Sequence, residues 1–323
     1  MINSHIKRCV CQYLITAILI FLVFFFLRDQ LYKLEKIKSI SISTLSLISI
    51  IFILFQIIQT KMYIEILKTL TCEVTFMEGF GLICLRSFYN YLPLNSGMIS
   101  NALYLKKIKK LPITVFTGLT IASQFIGIFV YGFVGLILSI IYFLINNYVP
   151  LSILLVTLTL VSTSIFAMFI PLPNFKTKTK LKKYFQNIKI GFDQLRKNKP
   201  TLILIMSLQF LLLFIMSLRF WLIAKDLDIN INMITIIYIT IFGNILRINT
   251  IFPGNLGLRE AMAGSVAATF SIDFMSGFLP AAIDHIVAMV IIILLGTYFN
   301  FRMLNYSRSL NQEPIAMIKN SKN

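Results

Sequence analysis

The chain has 323 residues, of which 58% are hydrophobic and only 13% charged, and its mean hydropathy is +0.85. Polar surface cannot cover that many apolar groups, so the bilayer is the solvent, which excludes a cytosolic enzyme, a secreted disulfide scaffold and a free nucleic-acid-binding protein. The net charge of +18 reads as Lys and Arg held on the cytoplasmic side of a membrane rather than as a nucleic-acid surface.

Along the chain, Lys7 and Arg8 precede an apolar run of 18 residues, 10–27, with no small-residue cleavage site behind it. That pattern predicts a retained signal anchor. Further stretches with the roughly 20 apolar residues a spanning helix needs cover 40–60, 113–145, 151–172, 201–223 and 278–299. The stretch 113–145 has 33 residues, so it tilts strongly or projects beyond the bilayer. Two more, 79–105 and 234–272, are interrupted by Pro and Gly. The expected fold is all-α: a single polytopic membrane domain with about six full spans and two broken, re-entrant hairpins. Its pseudo-repeat halves fall at about 40–145 and 200–300, with a basic loop at 173–200 and a short basic tail at 301–323.

If both hairpins enter and leave on one side and the N-terminus is cytoplasmic, the cytoplasmic segments hold 21 of the 30 Lys and Arg residues and the outer segments hold 5. That asymmetry favours a plasma-membrane protein with both termini in the cytoplasm. The stretch 61–78 and the basic loop 176–199 read as helices lying on an anionic leaflet. Cysteines at 9, 11, 72 and 84 form no Cys-x-x-Cys pair, and with only two histidines a zinc site is not expected, nor any other cofactor.

The two interrupted stretches resemble each other. Leu92-Pro93-Leu94-Asn95-Ser96-Gly97 and Phe252-Pro253-Gly254-Asn255-Leu256-Gly257 share Pro, Asn and Gly at the same spacing, 160 residues apart, and Arg86 and Arg247 precede the prolines by seven and six residues. Hairpins entering from opposite faces form an inverted repeat, whose broken helices meet near the midplane to make a substrate site. Pro stops a helix and Gly permits the turn. Asn95 and Asn255 are placed to cap the helices that follow, whose N-terminal amides would face an anion. The alternative is a pair of tight turns between packed helices.

An ionisable group at the bilayer centre costs roughly 2.5–3.5 kcal/mol on insertion scales, so each needs a partner or a cavity. Arg259 and Glu260 follow the second motif; they form a structural pair, or Arg259 binds an anionic headgroup while Glu260 sets its geometry. Adjacent helical residues do not face each other, so Glu260 is expected to pair with Arg247 or with another helix. His285 is a packing residue or, beside Asp284, part of a polar cavity. Arg86 is a site candidate, Asn101 and Gln124 offer neutral hydrogen bonds, and Arg219 reads as interfacial. The candidate substrate-binding set is thus Arg86, Asn95, Gly97, Asn101, Gln124, Arg247, Pro253, Asn255, Gly257, Arg259, Glu260, Asp284 and His285.

The segment from Pro253 through Gly257, Leu258, Arg259 and Glu260 to Ala261, and more weakly the segment from Pro93 to Leu105, resemble the lysylphosphatidylglycerol synthase transmembrane, flippase-like family. The resemblance implies a protein that moves a lipid or a polyprenyl-linked glycan between leaflets in cell-envelope assembly. Its partners would be membrane lipids, an anionic phospholipid or a polyprenyl-phosphate-linked sugar among them, and no nucleic acid. Some family members carry an aminoacyl-transferring domain; nothing after residue 300 is long enough to fold as one, so aminoacylation, or any enzymatic role, is not expected. Where the family typically has Gly-Glu-x-x-Arg, this chain reads Gly97-Met98-Ile99-Ser100-Asn101; where a Glu-Arg pair is usual it has Ser123-Gln124; and His285 stands at a common Arg position. Those losses keep open a scaffold or regulator of a membrane assembly complex. An intramembrane enzyme is suggested only by Ser265 with His285.

Overall fold

The computed structural model describes residues 38–92, 96–169, 180–248 and 253–320, with side chains described there except at 168–169, 180–185, 188, 247–248, 253 and 303–320. The anchor expected at 10–27 lies outside the described residues. Helices form all the regular structure among those described: α1 Ile42–Lys68, α2 Phe76–Tyr89, α3 Ser96–Ile108, α4 Ile113–Asn146, α5 Leu151–Phe169, α6 Lys180–Lys197, α7 Lys199–Asp226, α8 Met233–Ile248, α9 Leu258–Thr269 and α10 Phe274–Asn320. The protein is an all-α polytopic membrane protein. Four helices (α1, α4, α7 and the Phe274–Arg302 part of α10) are long and apolar enough to cross a bilayer, and α5 and α8 are shorter apolar helices.

The ends of these helices follow local chemistry. Ser41 caps α1, accepting the Thr44 amide at 3.2 Å, and Thr75 caps α2 through the Glu78 amide at 3.3 Å. Asn198 caps α7, with Pro200 in the first turn where its missing N–H costs nothing. In α5 the hydroxyls of Thr159, Ser162 and Thr163 donate to carbonyls one turn back, at 2.7–2.8 Å, which lets polar residues sit on a face turned to lipid.

Both interrupted stretches are broken hairpins. Glu78 at the start of α2 takes Lys109 at 3.2 Å and the Tyr104 hydroxyl at 3.0 Å from the far end of α3, so the two half-helices run antiparallel. In the second hairpin Tyr238, early in α8, stacks on Phe270 just beyond α9 at 5.4 Å. Long helix, two half-helices and long helix thus occur in that order twice, as α1–α4 and α7–α10.

The two halves are inverted. Ser41, at the start of α1, is held by Asp226 at the end of α7, its amide donating at 2.7 Å and its hydroxyl at 3.0 Å. These neighbouring helices therefore run antiparallel. Between the halves, α5 returns along α4, with Thr157 against Gly135 and Val161 against Gly132. The amphipathic α6 then crosses the start of α4, with Gly191 on Gly118 and Leu119 and Asn187 donating to Thr114 at 2.5 Å. One apolar cluster, with Tyr63, Leu82, Ala102 and Phe116, packs the first hairpin. Another, with Phe220, Ile236, Ala267 and Ala281, packs the second, at the opposite end of the bundle.

Candidate functional site

The two breaks touch. The Gly254 amide donates to the carbonyl of Asn90, which ends α2, at 2.8 Å. Gly254 has φ +62, and a Cβ there would fall 2.5 Å from the Tyr91 ring, so both the turn and the close approach require glycine. At the first break a Cβ on Gly97 would lie 2.1 Å from the Arg86 carbonyl oxygen and 2.5 Å from Asn90 Oδ1. Gly97 is therefore a packing residue that lets α3 start against α2.

Asn255 does not cap the helix that follows. With φ +53, it turns its Nδ2 back to the Leu246 carbonyl at 2.8 Å, closing the end of α8. The cap of α9 is Gly257, which makes no side-chain cap bond, and Glu260 in the first turn supplies the negative charge that a helix N-terminus favours. That N-terminus already carries an anion of the protein's own. Pro253 opens a short 3-10 turn to Asn255. Its side chain, that of Arg247, and the whole of Pro93 and Asn95 lie outside the described residues.

The ionisable groups after the second break converge with α7 and α10. Arg219 and Arg259 share one carboxylate: Arg219 Nη2 lies 2.5 Å from Asp284 Oδ1, and Arg259 Nη2 lies 2.6 Å from Asp284 Oδ2. The trio carries one net positive charge. The Arg219 guanidinium also lies over the Phe52 ring, 4.8 Å from its centroid. Glu260 reaches another helix, as its adjacency to Arg259 required, and pairs with His285 Nδ1. Tyr91 lies beside that imidazole, at 6.2 Å between rings. Ser265 is exposed whereas His285 is buried and engaged by Glu260.

Arg219 is not interfacial. It is only 2% exposed. Because α7 runs on to Asp226, Arg219 sits about 10 Å inside the helix end at 1.5 Å per residue. The lone arginine near an apparent span end concealed that extension.

Two cavities flank the contact between the breaks. One, of about 160 Å³, is bordered by Arg86, Tyr63, Gln124, Gln209 and Asn244. The other, of about 90 Å³, is bordered by Asn255, Arg219, Arg259, Asp284 and His285. Ser87 and Asn90 border both. Arg86 and Arg259 therefore face adjoining chambers rather than a single one. Asn101 faces neither; it is fully buried beside the Tyr63 hydroxyl. Beyond Arg219, sequence reasoning passed over Gln209 and Asn244, amide side chains in apolar helices; their placement inside an apolar stretch was the available signal.

The sequence profile of the lysylphosphatidylglycerol synthase TM region matches residues 11–296. The chain belongs to that family. No curated protein and no solved structure matches it. The segment after the second break supplies Arg259 and Glu260 to the buried charge cluster, whereas Arg86, seven residues before the first break, borders the other cavity.

Proposed function

We propose that the protein translocates a lipid, or a polyprenyl-linked glycan, between membrane leaflets, its inverted halves opening alternately around the paired chambers. The observation that carries this reading is the Asn90–Gly254 hydrogen bond, which joins two broken helices from opposite faces between two polar cavities inside an apolar bundle. Irregular backbone at such depth persists only where protein or a wet cavity surrounds it, and the unsatisfied positive charge beside it suits an anionic headgroup. The protein acts without catalysis, in the plasma membrane, with both termini in the cytoplasm and cell-envelope lipids as its partners. A scaffold role is favoured by one observation: Asp284 and Glu260 are already occupied by the protein's own side chains, Arg219 and Arg259 on the one and His285 on the other.

Lipid scrambling in reconstituted vesicles separates the two. Transport predicts that the wild type exchanges a fluorescent anionic lipid and that Glu260→Gln, which weakens the pair with His285, slows exchange about tenfold. A wild type no faster than empty vesicles contradicts it. Mass spectrometry of lipid copurified with the protein then names the cargo.

A further inference from the structure

The chamber around Arg86 differs in kind from its neighbour. In the smaller cavity, both arginines are already engaged by the Asp284 carboxylate. In the larger one, Arg86 is the charged residue of a lining that mixes apolar groups (Met62, Ile66, Ile83) with amides and hydroxyls, among them Gln59, Ser87 and Gln124. No carboxylate borders it among the described residues, and Arg86 makes no salt bridge there. Arg86 lies ten residues along α2, about 15 Å at 1.5 Å per residue, half the thickness of a hydrocarbon core. Gln59, Arg86 and Gln124, which line the chamber, are only partly exposed. Polar groups held out of water at that depth stay only where something hydrogen-bonds them.

We infer that this chamber binds the headgroup of an anionic lipid whose phosphate sits on Arg86 and whose uncharged hydroxyls are read by Gln59 and Gln124, and that it rejects cationic headgroups. The inference rests on the lipid-transport reading and names its substrate class. A guanidinium binds phosphate with charge-assisted hydrogen bonds. Gln amides donate to and accept from hydroxyl groups, which carry the same two capacities. An ammonium group brought in beside Arg86 meets a like charge and no carboxylate, so its desolvation goes uncompensated. The cavity also limits size. At the ~10–15 Å³ a water requires, its volume of about 160 Å³ holds roughly ten water-sized groups, which suits a phosphate with a small polyol. The lining comes from α1 at 59–66, α2 and its C-cap at 83–90, α4 at 120–131, Gln209 of α7 and Asn244 of α8, and its α1 part lies in the stretch that carries Lys61 and Lys68.

Binding is measured separately from movement. Full-length protein in detergent is titrated with phosphatidylglycerol, phosphatidylmethanol (the phosphate without the hydroxyls) and lysyl-phosphatidylglycerol, and the rise in melting temperature gives relative affinities. The expected wild-type order is phosphatidylglycerol first, phosphatidylmethanol about three- to tenfold weaker for one or two lost neutral hydrogen bonds, and lysyl-phosphatidylglycerol weakest. Gln124→Leu abolishes the preference for phosphatidylglycerol over phosphatidylmethanol, and Arg86→Gln weakens both roughly ten- to a hundredfold. Equal or tighter binding of the lysyl lipid, or an unaltered preference in Gln124→Leu, overturns the inference, as does a wild type that none of the three stabilises. If the expected order holds while scrambling is absent, the headgroup site stands and the transport reading fails; scrambling without this order has the opposite meaning.

Discussion

Asp284 holds two guanidiniums at once, and that sets what its removal costs. Asp284→Ala strands Arg219 and Arg259 together, both largely buried, whereas Arg219→Met leaves Asp284 paired with Arg259. Breaking a buried pair from one side costs about 3–5 kcal/mol. Asp284→Ala is therefore expected to lower stability in detergent by at least that amount, and Arg219→Met by clearly less, as read from denaturation midpoints. Equal losses would mean that Arg259 does not share the carboxylate. At this scale Arg259, Glu260, Asp284 and His285 were legible in the sequence, because an ionisable side chain in an apolar stretch demands a partner. Which partner each takes was not. Arg219 reaches Asp284 only because α7 lies antiparallel to α1 and extends to Asp226. Asn255 turns back to α8 because its φ is positive, which a Pro-Gly-Asn spelling does not reveal.

Among elements, the two breaks decide the architecture. Gly254→Ala meets both a positive φ and the Tyr91 ring, so it is expected to destabilise by about 1–3 kcal/mol. The double variant with Tyr91→Ala should lose less than the sum of the two single changes, because the residues touch; additive losses would show that they act independently. In the connection between α1 and α2, burial raises the Cys72 thiol above its ordinary value, and Lys109 opposes that shift more than Glu78 adds to it. Alkylation requires the thiolate, and a raised value means less thiolate at any given pH. At pH 8 iodoacetamide should thus modify Cys72 much more slowly in the native protein than in the denatured chain, the native rate climbing as pH rises; equal rates would show the thiol exposed. Pro and Gly marked the breaks in the sequence. The end of α1 was less visible: Lys61, Glu65 and Lys68 mark a polar edge, yet the helix continues to Lys68, whose ammonium pairs with Glu65 at 2.8 Å.

For the whole molecule, alternating crossings explain the inversion. From one face α1 crosses, the first hairpin dips and returns, α4 and α5 cross and recross, and α7 begins on the face where α1 ends. The second hairpin consequently enters from the opposite side. The 160-residue repeat of Pro, Asn and Gly made the pairing of the two broken stretches readable in the sequence. The direct contact of Asn90 with Gly254 was not, since nothing in the spacing specifies that the breaks meet rather than pass. The most direct test labels one cysteine at a time, at Glu73→Cys before the first hairpin and Asn230→Cys before the second, both exposed positions. The background has Cys9, Cys11, Cys72 and Cys84 replaced, and the reagent is a membrane-impermeant maleimide applied to intact cells. The account predicts that position 230 reacts in intact cells while position 73 reacts only after the membrane is opened; reaction of both under the same condition would contradict it.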